Sequence, residues 1–300
     1  MILQAQLKDF FRSLEFIFNI DEELWMKNIL FICIFIVIGV LLVNMTIGYI
    51  GNTMLFEAIE NNDYEKVEEI IKLGASVNRR KHFINLSSLI PTNYTPLIEA
   101  CRNGNERIIR LLVESGADVN KADNWTGKTP LIMVLGMYND QNRFSLAMYL
   151  IENGADIHMV QSGSNNNHAM VATPFSTALI IPKEADEKSI EEAEDFFLYL
   201  MQHNVDITIY GSLESTLTYA SRYSSPFIVQ YLIENGYCDI NDYDDLGNTA
   251  LIIATKYEKV DVLRVLIELG ANKNLTDDTG KTAYDYAVET GNQEIIDLLS

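Results

Sequence analysis

The chain is poor in the residues from which disulfide scaffolds, metal centres and nucleic-acid surfaces are made. It has three cysteines in 300 residues, Cys33, Cys101 and Cys238, too few for a disulfide framework, so cysteine usage says nothing about redox compartment. Its four histidines, His82, His158, His168 and His203, show no paired ligand spacing such as H-E-x-x-H. His158 and His168 share one connection where metal binding is conceivable, but two histidines in an exposed loop more often bind none. Lysine and arginine number 22 against 42 acidic residues, giving a net charge of -20 and a pI near 4.5. Such a balance disfavours nucleic acid, whose binding draws on phosphate neutralisation by basic residues. No glycine-rich phosphate loop or nucleophile motif is present, and the acidic run Glu184 to Asp195 lacks the D-x-D-x-D-G pattern of a calcium loop. The sequence therefore assigns no catalytic residue, no metal and no cofactor.

What the chain does have is repetition. Taking the Thr of Thr95-Pro96-Leu97-Ile98-Glu99-Ala100 as a marker, matching positions fall at Thr53, Thr95, Thr129, Thr173, Ser215, Thr249 and Thr282. The intervals after Thr95, Ser215 and Thr249 are nearly equal and short, and those after Thr53, Thr129 and Thr173 are longer. A second marker follows at Gly74-Ala75, Gly116-Ala117, Gly154-Ala155, Asn204-Val205, Gly236-Tyr237 and Gly270-Ala271; the first two and last two keep one common offset from their own Thr or Ser. Between the markers the apolar residues follow helical periodicity twice, as in Leu97 and Ala100 and then Ile108, Ile109, Leu111, Leu112 and Val113. Gly104 and Gly116 suit left-handed residues that end the two helices. Each unit reads as a helical hairpin followed by a turn rich in Asn, Asp and Gly, such as Asp118-Val119-Asn120 leading to Thr126-Gly127-Lys128.

These residues resemble the ankyrin repeat, whose period is about 33 residues and whose signature is T-P-L-H-x-A. The resemblance is closest over Thr95 to Asn120 and Asp245 to Asn274 and extends from about Gly51 to Ser300. It implies an all-α solenoid of about seven repeats. The signature His is absent, with Ile98, Ile132, Ser176, Thr218, Ile252 and Asp285 in its place. In the family that His ties turns together, so its loss bears on local stability and leaves the architecture intact. Extra residues fall at 79–93, 159–172 and 182–192, and insertions in solenoids map to loops on one face. Gly51-Asn52-Thr53 fits the first turn, and the helix holding Ile295, Ile296, Leu298 and Leu299 suits a C-terminal cap. Stacking also puts Cys101 and Cys238 three repeats apart, too far for a disulfide when neighbouring helices pack about 8–10 Å apart.

The front of the chain carries the other strong signal. No charged residue occurs from Asn28 to Phe56, and the apolar run from Ile29 to Ile50 is interrupted only by Asn44, Thr46 and two glycines. A run above about 18 apolar residues reads as a transmembrane helix, and Trp25 and Tyr49 flank it as interfacial aromatics. A cleaved signal peptide is the weaker reading, because a long leading segment containing Asp21, Glu22 and Glu23 precedes the run. A buried core helix is weaker still, since repeat helices are short. The expected organisation is thus an amphipathic segment at 1–27, with Leu3, Leu7, Phe10, Leu14 and Phe18 at helical spacing, a transmembrane helix at 28–50 and repeats at 51–300. Lys8, Arg12 and Lys27 on one side against Lys66 on the other put the N-terminus in the cytoplasm and the repeats outside it, periplasmic in a bacterium; Arg79-Arg80-Lys81, just beyond the counting window, argues the other way.

With so little linker the array should lie close to the bilayer, where Arg79, Arg80 and Lys81 face anionic headgroups, although a solvated loop is the plainer reading. In ankyrin arrays, the resemblance implies, partners are bound by turn tips and the last exposed positions of each first helix on the concave face. Arg222-Tyr223 and Lys256-Tyr257 stand at such positions in consecutive repeats, together with Met137 and with Trp125 at a turn tip. Tyr and Arg are enriched at binding hot spots, although a chain with 15 tyrosines will also carry some on its surface without purpose. Three functions follow: a membrane-anchored scaffold for a protein partner, an accessory factor that assembles or protects a membrane-associated enzyme, or an enzyme with its site in the elaborated fourth repeat. Every recognisable pattern serves stacking or display, which favours the first.

Overall fold

The computed structural model describes residues 34, 36–38, 50–81, 83–84, 91–92, 94–124, 126–137, 142–160 and 171–300. Over these the chain forms seven helix pairs. The first pair is α1, helical over residues 50–60, and α2 (Tyr64–Lys72). After a two-residue antiparallel pairing of β1 (Phe83–Ile84) with β2 (Pro91–Thr92) come α3 (Pro96–Asn103) and α4 (Glu106–Glu114). The third pair is α5 (Pro130–Leu135) and α6 (Arg143–Glu152), the fourth α7 (Pro174–Ala178) and α8 (Glu187–Gln202). The last three are α9 (Thr216–Tyr223) with α10 (Pro226–Glu234), α11 (Ala250–Lys256) with α12 (Val260–Glu268), and α13 (Ala283–Thr290) with α14 (Gln293–Leu299). First helices pack on first helices of neighbouring repeats and second helices on second helices, and one apolar core runs from Leu55 to Leu299.

The recurring Thr has a local cause. The hydroxyls of Thr95, Thr129, Thr173, Ser215, Thr249 and Thr282 each accept the backbone N–H three residues on, capping α3, α5, α7, α9, α11 and α13. Each such cap is worth about 1 kcal/mol. Pro96, Pro130 and Pro174 occupy the first turn, where no N–H is needed. The marker glycines end the second helices, as at Gly116 with φ of +86°; in the fourth copy Asn204 takes that position at +53°.

Where the signature His is missing, other groups hold the turns. Ser176 and Asp285 accept the N–H of Thr173 and Thr282 at 2.9 and 2.8 Å, and the hydroxyls of Ser215 and Thr218 lie 3.1 Å apart. Three buried carboxylates do the same work one turn earlier. Asp123 accepts the N–H of Thr126 and Lys128, Asp244 those of Leu246 and Asn248, and Asp277 those of Thr279 and Lys281.

Three expectations are corrected. Gly51-Asn52-Thr53 is helix rather than turn: the chain is already helical at residue 50, so Thr53 lies inside α1 and not at its start. Residues 182–192 are not all loop. Asp186 accepts the N–H of Ser189 at 2.9 Å, and a 16-residue helix follows that buries Ala193, Phe196, Phe197, Leu200 and Met201. The two-residue β1–β2 pairing lies in the first connection and leaves the all-α array as expected. Met137 is not an exposed helix position, because α5 ends at Leu135 and Met137 is half-buried against the core.

The turn after α11 places Glu258 at φ of +52°, a conformation that costs a side chain with a Cβ about 1–2 kcal/mol. Glu258 gives back one contact, accepting from Asn292 Nδ2 at 2.9 Å. Glu258→Gly is expected to raise stability by about 0.5–1 kcal/mol, read as a higher urea midpoint with unchanged slope.

Candidate partner-binding surface

The last turns of the first helices in repeats five to seven form one connected row. Arg222, near the end of α9, packs over the ring of Tyr223 at 4.7 Å and over Tyr257 of the next repeat at 4.1 Å. Its Nη1 donates to Glu214 at 3.0 Å. Burial alone would lower the Arg222 pKa; the Glu214 hydrogen bond and charge outweigh it and raise it. One repeat on, Lys256 sits 4.1 Å over Tyr286 and donates to Asn248 Oδ1 at 2.6 Å and to Asp277 Oδ2 at 3.3 Å. Tyr286 in turn donates to Asp277 Oδ2 at 2.5 Å, and Lys281 approaches the same ring at 5.1 Å while bound to Glu289. Tyr219 and Tyr223 meet at the other end with centroids 4.7 Å apart and their rings tilted by 49°.

The cations in this row are therefore engaged within the chain, Arg222 and Lys256 each against an aromatic ring of the following repeat and Lys281 against Tyr286 of its own. What faces solvent is chiefly Tyr257, 45% exposed, while Arg222, Tyr223 and Lys256 are half-buried. The row offers a rigid aromatic patch with a phenolic hydroxyl, the kind of group that anchors protein interfaces.

The remaining sequence candidates lie apart from it. Trp125 is outside the described residues. Arg79 is exposed and Arg80 half-buried, but Lys81 turns inward, bonding Glu60 and lying 5.3 Å from the Phe56 centroid. Among the described residues no three His, Cys, Asp or Glu side chains converge as a metal centre would, and His168 is outside them. Cys101 and Cys238 are free; burial pushes the Cys101 thiol up, and burial with Asp242 pushes Cys238 up to about 11, so neither is a ready nucleophile. No helix of the described residues is long and apolar enough to cross a membrane, and most of 28–50 falls outside them.

Sequence reasoning passed over the paired aspartates of the turns. Asp244-Asp245 and Asp277-Asp278 recur at one repeat's interval, which is the signal that would have found them.

The family described as ankyrin repeats (3 copies) matches residues 80–161, 188–277 and 217–300, skipping the stretch that holds the five-residue α7. The chain belongs to the ankyrin-repeat family. It is 25% identical over 245 residues to ankyrin repeat and KH domain-containing protein mask-1 of Caenorhabditis elegans, covering 78% of this chain and 8% of that one. It is 32% identical over 117 residues to mouse protein phosphatase 1 regulatory subunit 27, covering 39% of this chain and 67% of that protein. The human ASB11 ankyrin repeat domain superposes with a TM-score of 0.57 at 24% identity, covering 82% of this chain and 95% of that domain. The chain thus spans only a small part of some relatives, 8% of mask-1 and 26% of human transient receptor potential cation channel subfamily A member 1.

Proposed function

We propose that this protein is a membrane-anchored scaffold whose ankyrin array, residues 51–300, holds a protein partner and performs no reaction of its own. The observation that carries the partner-binding part is the row from Tyr223 to Tyr286, a rigid aromatic surface with Tyr257 facing out. Family membership supports a binding role, since ankyrin repeats generally mediate protein–protein interaction. The uncharged run from Asn28 to Phe56 supports the anchor at 28–50, with the array on the extracytoplasmic side and Arg79, Arg80 and Lys81 near headgroups. Lys81 has the least to offer there, because Glu60 already engages it.

One observation favours the accessory reading as a second choice. A relative at 32% identity is by name a regulatory subunit of a phosphatase, which is a way of serving an enzyme without being one.

The test is crosslinking of the intact protein in its membrane, followed by identification of what co-purifies, with protease accessibility of the repeats reporting topology in the same preparation. The Tyr223→Ala/Tyr257→Ala variant is expected to lose the partner by at least about tenfold, as hot-spot truncation does. Undiminished capture with an intact helical spectrum would remove the row from consideration. Recovery of the chain in the soluble fraction would remove the anchor.

A further inference from the structure

The turns that precede α9, α11 and α13 meet edge to edge. Asp245 N–H donates to Leu213 O at 2.9 Å, and Asp278 N–H approaches Leu246 O at 3.4 Å. Leu213 and Leu246 crown consecutive turns and are 55% and 51% exposed; Tyr243 beside them is 50% exposed. Large apolar side chains at successive turns thus leave about half of their surface open to solvent.

Between the second and third of these turns lies a cleft of about 440 Å³ lined by Tyr243, Asp244, Asp245, Asp277 and Asp278. Gly247 lets the turns close in, since a Cβ there would fall 2.5 Å from Asp278 Oδ1. No lysine or arginine lines the cleft. Asp244 spends its oxygens on its own turn, and Asp277 divides its own between its turn and the side chains of Tyr286 and Lys256. The exposed carboxylates of Asp245 and Asp278 have no hydrogen-bond or ion-pair partner among the described residues. Two open carboxylates beside a tyrosine ring, next to a line of open leucines, complement an apolar chain that carries cations.

Spacing adds a constraint on that chain. Neighbouring helices pack about 8–10 Å apart, so successive turns repeat at about that distance. A polyproline II strand advances about 9.3 Å in three residues and returns every third side chain to one face.

We propose that the turn tips of repeats five to seven bind an extended basic segment of a protein partner, with an apolar residue every third position over Leu213 and Leu246 and a guanidinium between Tyr243, Asp245 and Asp278. The arginine gains a planar contact with the ring and paired hydrogen bonds to carboxylate. This surface shares only Asp277 with the Tyr257 row and rests on the scaffold reading only in calling for a protein ligand.

The test uses the full chain and two fluorescein-labelled peptides of identical composition, four repeats of Leu-Arg-Arg and the same residues with the leucines gathered at one end. The periodic peptide is expected to bind at least about tenfold tighter than the block peptide. Asp245→Asn/Asp278→Asn should lose about tenfold for it. Glu187→Gln/Glu191→Gln on α8 makes the same charge change far from the turns and should alter affinity less than about twofold. Leu246→Ser should weaken the periodic peptide alone, and Tyr257→Ala should leave it unchanged, so failure here is distinct from failure of the aromatic row. Absence of saturable binding, equal affinity for the two peptides, or equal losses in the tip and α8 variants would each overturn the proposal.

Discussion

Replacing Arg143 with leucine is expected to lower the stability of the array by about 3–5 kcal/mol, as the loss of two buried charge-assisted hydrogen bonds implies, and to split its unfolding into two phases. Arg143 is 3% exposed and begins α6, where the helix dipole disfavours a cation. The compensation comes from the opposite ends of other helices. Its Nη1 donates to Leu135 O, the last residue of α5, at 2.9 Å, and its Nη2 donates to Ile180 O, just past α7, at 2.6 Å. These two first helices are the shortest of those described from end to end, six and five residues, so one guanidinium joins the repeats that have least helix to stack. Because each repeat touches only its neighbours, weakening one junction uncouples the blocks on either side. Urea denaturation followed by circular dichroism should show a second inflection in Arg143→Leu, and Arg143→Lys should recover only part of the loss, since an ammonium cannot fork to two carbonyls. A single transition at the wild-type midpoint would show that the latch is not what couples these repeats.

The second large effect is expected at Asp277 and depends on pH. Burial alone would raise its carboxyl pKa. The hydroxyls of Thr279 and Tyr286 and the N–H groups of Lys281 and Thr279 outweigh burial together and hold it well below the usual carboxylate range. The folded pKa thus lies below the unfolded one, near 3.9. Stability from Asp277 is then fully present above about pH 4 and is lost as pH falls from there through the lower folded value. Asp277→Asn should cost about 2–3 kcal/mol near neutral pH, where charge-assisted acceptance from Tyr286 and Lys256 is lost. The difference between variant and wild type should shrink steadily below about pH 4, which urea midpoints at several acid pH values would measure. A gap independent of pH would mean that the carboxylate charge contributes nothing.

Much of this architecture was legible because its causes are local. A threonine that caps a helix needs only the N–H three residues on, so Thr95 and its copies announce the repeats without knowledge of packing. Thr53 misled for the same reason: the marker was there, but the helix has already begun by residue 50 and simply includes it. The acidic run Glu184 to Asp195 looked like loop because charge masked Ile190, Ala193, Phe196, Phe197 and Leu200, whose three- and four-residue spacing is that of a buried helix face. The pairing of Arg222-Tyr223 with Lys256-Tyr257 could be read from their matching places in consecutive repeats. That Arg222 lies on Tyr257 rather than facing solvent could not, because the contact exists only once two repeats are stacked. Met137 shows the converse, a candidate by position that short α5 leaves packed inward.

Asp277 also belongs to both surfaces at once. One oxygen receives Tyr286 and Lys256 from the aromatic row, and the other receives Thr279 and Lys281 from the turn that borders the cleft. A displacement of this carboxylate is felt on both sides. Occupancy of either surface that moves it would be thermodynamically linked to occupancy of the other, and such linkage is reciprocal: the two faces of the array would report on each other through a single buried side chain.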